Sequence, residues 1–381
     1  MTGQATLWFL AGTLLPSFSL AWVLTFLVRR LAPWFGLIDH PNLRKVHVTP
    51  TPLGGGLAIG LGVIGTFLLG DCLLRWLGHV PEAVGLIPQF ARPHLDGLVA
   101  QRSSLWVLLA AASALMLLGL CDDRRGVDWR IRLGIQAVVA LVCVLTQGWR
   151  LTVFIDVPRW SWLISVVLST VWIVALVNAF NMLDNMDGLS AGVAAIAGGI
   201  LAAVLLVAPD PTTQRPQLFV AGFLLVLVGS LSGFLWHNRP PARVFMGDAG
   251  SYFVGFCIAV ATLLATYASY QGGRSHAVLA PLCVMAVPLY DMASVVCIRL
   301  SEGRSPFEAD KSHFSHRLVE LGLTKTQAVL TIYLLTATCG LGAVVLRRVD
   351  AVGAAAVLLM VLCVLVLIAI LESTARRKLR E

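Results

Sequence analysis

Long apolar runs alternate with short polar connections along almost the whole chain. Eleven runs are recognisable, and each approaches the roughly 20 residues that an α-helix needs to cross about 30 Å of hydrocarbon. They cover residues 5–28, 53–74, 104–121, 133–148, 161–177, 189–208, 217–236, 252–268, 276–298, 327–346 and 351–371. This pattern predicts an all-α polytopic membrane protein with about 11 transmembrane helices, built as one integral membrane domain over residues 1–381.

Composition indicates the same class. Of the 381 residues, 58% are hydrophobic and only 13% are charged, whereas an average soluble domain carries about 25% charged residues. The first run ends in Arg29-Arg30 and lacks a signal-peptide cleavage pattern, so we expect a retained helix. Most of the eight cysteines lie inside apolar runs and none forms a Cys-x-x-Cys pair, which favours buried thiols over a zinc site or a disulfide framework.

Basic residues are distributed unevenly between the two sets of alternate connections. One set holds 19 of the 28 lysines and arginines. It comprises residues 29–52, 122–132, 178–190, 237–251, 299–327 and 372–381. Because basic connections stay in the cytoplasm, we expect the N-terminus outside and the C-terminus inside. The same rule explains the net charge of +8 without a nucleic-acid partner.

All polar clusters fall in this basic set of connections, so we expect one active face, directed towards the cytoplasm. The most informative cluster follows the fifth run, where Asn178, Asn181, Asp184 and Asp187 recur every third residue. On a helix this spacing places them along one slowly drifting stripe. Polar groups at membrane depth are costly unless they face a cavity or one another. The stripe therefore predicts a site for a metal and phosphate.

Two further acidic clusters lie at ends of apolar runs. Asp122 and Asp123 close the third run, and adjacent carboxylates suggest a cation or a proton acceptor, with a solvated helix end as the alternative. Asp248 lies among small residues that let a ligand or metal approach, although a capped glycine-rich helix start would look similar. Arg132 suits either a phosphate or a positive-inside anchor.

The connection after the ninth run is long and basic. His313 and His316 are three residues apart, with Arg304 and Arg317 nearby. No cysteine or third histidine completes a zinc set, so an anion site is the better interpretation. Within the ninth run, Asp291 should face a cavity or a partner, with a structural salt bridge to an arginine such as Arg299 as the alternative.

The first cytoplasmic connection joins a basic segment containing Lys45 to Gly54-Gly55-Gly56. Glycines that open a helix can cradle phosphate, although a membrane-surface loop would have the same composition. Together the clusters supply carboxylates and an amide for Mg²⁺, and basic groups for phosphates, at a membrane surface. The implied chemistry joins a lipid phosphate to a soluble phosphorylated compound.

With these motifs the chain resembles the polyprenyl-phosphate N-acetylhexosamine-1-phosphate transferase family, also called glycosyltransferase family 4. It is most similar to the members that use N-acetylglucosamine 1-phosphate. Five motifs carry the resemblance in order along almost the whole chain: 39–56, Asp122-Asp123, 178–192, 245–251 and 313–318. The family transfers a sugar 1-phosphate from a UDP-sugar to undecaprenyl or decaprenyl phosphate and releases UMP.

The resemblance implies roles for individual residues. Asn181 and Asp248 would ligate Mg²⁺, with Mn²⁺ as an alternative, and Asp187 would contact uracil. The expected catalytic residues are Asp122, Asp123, Asp248, His313 and His316. The expected substrate-binding residues are Lys45, Arg132, Asn178, Asp184, Asp187, Arg304 and Arg317. Whether Asp122 or Asp123 also removes a proton stays open.

The chain departs from the family pattern at three positions. Arg132 stands where the family usually has lysine, and the two cations are not interchangeable. Asn185 stands where the family commonly has glycine, and Ser315 where it often has a histidine. The last two departures bear on sugar recognition.

The expected partners are a UDP-N-acetylhexosamine, a polyprenyl phosphate and the membrane, in a bacterial inner membrane. The alternative donor is UDP-MurNAc-pentapeptide, whose transferases tend to have consecutive histidines and ten spans. A transporter is a distant alternative, because its polar residues would be spread through the spans and over both faces. A homodimer, the polymer that is built and the prenyl length stay open.

Overall fold

The computed structural model describes residues 3–41, 49–79, 92, 95–151, 160–207, 216–265, 275–308 and 310–380. Helices dominate this part of the chain. Their bounds are α1 Gly3–Leu31, α2 Gly55–His79, α3 Leu95–Arg125, α4 Trp129–Gln147, α5 Ser161–Leu183, α6 Leu189–Val207, α7 Leu218–Asn238, α8 Gly247–Leu264, α9 Ala280–Val284, α10 Ala286–Ser301, α11 Phe314–Glu320, α12 Lys325–Leu346 and α13 Ala351–Arg380. The all-α fold expected from the sequence is confirmed.

Ten helices of the described chain are long and apolar enough to cross a membrane, and there are eleven spans if a bent pair is counted as one. The bent pair joins His276–Val284 to Ala286–Ser301 at an angle of 69°. The sequence predicts one continuous run here, and the break has a local cause. Pro288 has no N–H to donate to the carbonyl of Val284, so a straight helix cannot pass through Met285. The protein is a multi-pass membrane protein.

The centre of the bundle is α8, which is buried along almost its whole length. It packs against α3 and α5, and glycines permit the close approach. A Cβ added at Gly255 would lie 2.8 Å from Cα of Val177 on α5. At the other extreme, α13 exposes most of its apolar side chains, which suits a helix that faces lipid. The bundle therefore surrounds α8 and presents its N-terminus at one end.

A two-stranded antiparallel ribbon, β1 Ile38–Asp39 with β2 Thr51–Pro52, leads into α2. Phe245 donates its N–H to the carbonyl of Pro52 over 2.9 Å, and Gly55 returns a 2.9 Å bond to the carbonyl of Phe245. The glycines that open α2 are thereby fixed beside the start of α8. Lys45 lies outside the described residues.

Candidate active site

The first turn of α8 binds a carboxylate from another helix. Asp123, at the end of α3, accepts the backbone N–H of Asp248 at 2.9 Å and that of Ala249 at 3.2 Å. These are N–H groups that have no partner within their own helix, and the helix dipole favours a negative group there. Gly247 has φ +71, and a Cβ on it would lie 2.6 Å from Oδ2 of Asp123. Glycine is therefore needed for this approach.

Arg132, in the first turn of α4, joins the neighbouring acids. Its Nη1 lies 2.5 Å from Oδ2 of Asp122 and 3.5 Å from Oδ2 of Asp248. Oδ1 of Asp122 also accepts the N–H of Val127 at 2.7 Å, and Oδ2 accepts the hydroxyl of Tyr252 at 3.3 Å. The adjacent acids thus face different partners, Asp122 a guanidinium and Asp123 a helix N-terminus.

Asn181, near the end of α5, completes the group around Asp248. Its Nδ2 donates to Oδ1 of Asp248 at 2.7 Å and to Oγ of Ser251 at 3.1 Å. The two predicted metal ligands are therefore adjacent. Carboxylate and amide oxygens are the hard donors that Mg²⁺ prefers, so the residues fit this ion. In the described chain no three His, Cys, Asp or Glu residues are grouped closely enough to hold a metal ion by themselves.

The four-residue helical stripe predicted from the sequence is only half correct. Asn178 and Asn181 lie on α5, but the helix ends at Leu183. Asp184 leaves helical geometry with ψ 58, and Gly188 follows with φ +75. The two aspartates are therefore on the connection to α6, because polar and glycine residues there stop the helix.

The structure places the members of this stripe in different surroundings. Asn178 donates to Oε1 of Gln136 at 2.6 Å, one turn further into the bundle than Arg132. Asp187 accepts the N–H of Ala242 at 2.9 Å, on the connection before α8. Asp184 lies beside the N-terminus of α8. Its pKa is raised to about 8 by burial and by the charge of Asp123, against a backbone hydrogen bond from Gly247.

The histidine segment, residues 310–318, is bound to a buried carboxylate. Asp291 on α10 is fully buried, contacts Nδ1 of His313 at 3.0 Å and accepts the N–H of Phe314 at 2.6 Å. The alternative considered for Asp291, a structural salt bridge with an arginine such as Arg299, is wrong. Arg299 instead donates to Asp310 at 2.9 Å. Asp291 faces a partner, as predicted, and the partner is a histidine.

His316 lies one helical turn after His313, with 6.3 Å between the ring centroids. Burial lowers the pKa of His316 to about 4, and the positive charges of His313 and Lys311 act in the same direction. At neutral pH its imidazole is therefore uncharged. It offers one donor and one acceptor, so its contribution to an anion site is a hydrogen bond rather than a charge.

The two arginines assigned to substrate have internal partners. Arg317 is 3% exposed, and its guanidinium donates to the carbonyl of Ser312 and to Oγ of Ser294. Its Nε also lies 3.0 Å from Oε2 of Glu372 on α13. Arg304 is bonded to Glu302 and, at 2.8 Å, to Asp310. In this structure both arginines hold the histidine segment, and their contact with substrate stays a prediction.

Several polar residues of these networks were not singled out from the sequence, among them Tyr252, Gln136 and Glu372. Tyr252 lies four residues after Asp248, a helical spacing that identifies it once α8 is placed. Gln136 likewise follows Arg132 by one turn. Glu372 accepts the hydroxyl of Tyr290 at 2.9 Å, and no local pattern signals a contact between two separate helices.

Comparison with known proteins gives a family and several relatives. The profile described as glycosyl transferase family 4 matches residues 105–266. A Bacillus subtilis (strain 168) protein named probable undecaprenyl-phosphate N-acetylglucosaminyl 1-phosphate transferase is 30% identical over 85% of this chain and 81% of its own. The decaprenyl-phosphate N-acetylglucosaminephosphotransferase of Mycobacterium tuberculosis (strain ATCC 25618 / H37Rv) is 32% identical over 83% of this chain and 77% of its own.

A third relative comes from Escherichia coli (strain K12). It is named undecaprenyl-phosphate alpha-N-acetylglucosaminyl 1-phosphate transferase, and it is 29% identical over 82% of this chain and 77% of its own. The profile match includes the cluster around Asp248, and the relatives also cover most of the chain. With its bundle of apolar helices and its acidic site at the start of α8, this protein belongs to glycosyl transferase family 4.

Proposed function

We propose that the protein transfers N-acetylglucosamine 1-phosphate, or a related N-acetylhexosamine 1-phosphate, from a UDP-sugar to a polyprenyl phosphate and releases UMP. One observation carries the proposal. Asp122, Asp123, Arg132 and Asn181, from three different helices, all meet the first turn of α8 around Asp248. The names of the relatives supply the substrate class, since all three act on a prenyl phosphate and N-acetylglucosamine 1-phosphate.

The reaction exchanges one phosphoanhydride bond for another. An oxygen of the prenyl phosphate attacks the β-phosphorus of the UDP-sugar, a new P–O bond forms, and the bond to UMP breaks with its electrons on UMP. A prenyl phosphate is already anionic near neutral pH, so a strong base is not obligatory. The work of the protein is positioning and neutralisation of charge.

The residues of the site suit that work. Arg132 supplies a permanent positive charge and a planar set of donors, which can bind a phosphate bidentately. Asp123 is held in a fixed position by the two N–H groups of α8, and Asn181 and Asp248 would hold Mg²⁺. When bound, Mg²⁺ neutralises negative charge on the pyrophosphate. His316 would donate a hydrogen bond at the sugar-phosphate end.

The compact histidine segment favours a small sugar. Arg304 beside it and Arg317 within it are paired with carboxylates, Arg304 with Asp310 and Arg317 with Glu372. Helix α11 is only seven residues long. UDP-MurNAc-pentapeptide would need a wider mouth, and the relatives compared above are not named for that donor. We therefore expect UDP-GlcNAc, or a close relative, to be the donor.

We also propose an inner-membrane location with the N-terminus outside, the C-terminus inside and the site at the cytoplasmic face. The basic connections support this orientation. The site residues support a single face, because they lie at the C-terminal ends of α3 and α5 and at the N-terminal ends of α4 and α8. In an alternating bundle these ends lie on the same side of the membrane.

A membrane assay tests the proposal. Purified enzyme is given UDP-GlcNAc or UDP-MurNAc-pentapeptide with undecaprenyl phosphate, and UMP release is followed with and without EDTA. We expect turnover of UDP-GlcNAc, its loss in EDTA and its loss in Asp248→Ala. Asp350→Ala is the control, because this exposed carboxylate only caps the start of α13. Turnover of the pentapeptide donor alone would overturn the sugar assignment. Full activity in EDTA would overturn the metal assignment.

A further inference from the structure

Helix α11, which carries His316, is attached to the rest of the bundle at several points. One attachment differs from the others because it leads directly to the acidic site. The hydroxyl of Ser315 donates to Oδ1 of Asn185, across 130 positions of sequence. Ser315 is 1% exposed, and Asn185 is half-buried on the connection between α5 and α6. This bond joins the histidine segment to the segment that carries Asp184.

The asparagine of this pair is itself held in place. Its Nδ2 donates to the carbonyl of Met182 at 2.9 Å, at the end of α5. The amide is therefore oriented with its oxygen towards Ser315. An amide with both ends bonded is a rigid connector, because rotation about its last torsion would break both hydrogen bonds.

The positions of the two residues give the bond its significance. Asn185 directly follows Asp184, which contacts the N-terminus of α8. Ser315 lies between His313 and His316 in the histidine segment. The bond therefore sets the distance between the acidic site and the histidines, two groups that come from separate parts of the chain.

The hydroxyl of Ser315 depends on the side chain of Asn185 for its hydrogen bond. A glycine at position 185 would have no side-chain acceptor, and the buried hydroxyl of Ser315 would lose its partner. A buried donor without an acceptor is unfavourable. The two residues are therefore a matched pair: the asparagine supplies the acceptor that the serine requires.

We propose that Asn185 and Ser315 are positioning residues, which fix the histidine segment relative to the acidic site for transfer of the sugar phosphate. This inference rests on the proposed function. The pair acts through His316 and does not itself touch the reacting atoms. Its loss should therefore lower the rate of transfer while leaving the affinity for UMP, bound at the nucleotide end, almost unchanged.

A double-mutant cycle tests the proposal. Asn185→Ala, Ser315→Ala and the double variant are compared with wild type for kcat, for UMP binding and for Tm in detergent. One hydrogen bond corresponds to about a 3- to 10-fold effect, so each single variant should lose that much of kcat. The double variant should lose no more than either single one, because both remove the same bond.

Two further variants separate positioning from a general structural effect. Ser315→Thr keeps the hydroxyl, and it should recover most of the kcat that Ser315→Ala loses. Ser301→Ala is the control, since this exposed serine bonds only within its own helix and should leave kcat unchanged. If the buried Ser315 variants do not fold, the partly exposed Asn185→Ala still reports kcat against UMP affinity.

The outcomes distinguish this inference from the proposed function. If wild type transfers no N-acetylhexosamine phosphate, the proposed function fails, and the non-additive change in Tm still tests the bond itself. If wild type is active but the two single effects multiply, the positioning inference fails alone. A loss of UMP affinity in step with kcat would also overturn it.

Discussion

Asp310 accepts four hydrogen bonds in the segment before α11. Its Oδ1 accepts from Nη2 of Arg299 at 2.9 Å, and its Oδ2 accepts from Nη1 of Arg304 at 2.8 Å. The backbone and hydroxyl of Ser312 donate to the same carboxylate at 3.1 and 2.8 Å. We predict that Asp310→Ala destabilises this segment and displaces the histidines that follow.

The magnitude follows from the burial of the cation. The side chain of Arg299 is 5% exposed and that of Asp310 is 14% exposed, so solvent cannot replace the lost partner. Breaking a buried pair costs about 3 to 5 kcal/mol, because one charge stays buried and uncompensated. Arg299 keeps its bond to the carbonyl of Pro306, so we expect the lower end, about 3 kcal/mol.

The effect should be local and pH-dependent. Burial by itself would raise the pKa of Asp310, but the hydrogen bonds from Arg299, Ser312 and Arg304 outweigh burial and hold it below the ordinary value. A carboxyl with a lowered pKa stabilises the fold fully at neutral pH, and this contribution is lost as the pH falls below the ordinary range.

Hydrogen exchange is the direct assay. Backbone amides of residues 302–316 should exchange faster in Asp310→Ala, and a 3 kcal/mol change in opening corresponds to about a hundredfold or more. Glu302→Gln is the matched control: it removes the other carboxylate bonded to Arg304, on the exposed side of that arginine. Unchanged exchange in Asp310→Ala, or equal changes in both variants, would refute the assignment of Asp310 as the stabilising centre.

Three further predictions concern the titratable groups of the site. Asp122→Asn and Asp123→Asn should each lower kcat severely, and the double variant should be little worse, because residues that act as a unit are non-additive; multiplying effects would indicate separate steps. The pKa of His316 is lowered to about 4, so its contribution to stability is lost as the pH falls from about 6.5 to 4, and Tm of His316→Gln should fall less over that range. Parallel Tm curves for the two proteins would contradict this. The pKa of Asp184 is raised to about 8, so wild type without metal should lose stability as the pH rises towards 8 and Asp184→Asn should not. An equal loss in both proteins, measured as Tm, would count against it.

The helices were predictable because membrane burial leaves a strong signal in composition. A run such as 217–236 is almost wholly apolar, and α7 follows it closely as Leu218–Asn238. Helix ends were less predictable. The three-residue spacing from Asn178 to Asp187 does not show where the helix ends. The backbone angles of Asp184 and Gly188 show that it ends at Leu183.

The partners of buried charges were the least predictable part of the site. Asp291 has two candidate partners in the sequence, and the choice of His313 over Arg299 depends on how the segment folds around Asp310. Glu372 reaches Arg317 only because α13 packs beside α11. Such pairs are set by tertiary packing, and the local pattern of residues contains no trace of them.

The arginine at position 132 shows how a departure from the family pattern can be accommodated. A single nitrogen, Nη1, makes the contacts with Asp122, Asp248 and Tyr252. A lysine ammonium, which is also one nitrogen with several donors, could make the same contacts. The internal structure of the site therefore does not require arginine in place of lysine. What the guanidinium adds is a second terminal nitrogen in a fixed plane, the geometry that binds two oxygens of one phosphate. The difference between the two cations should thus be felt by the substrate phosphate rather than by the fold.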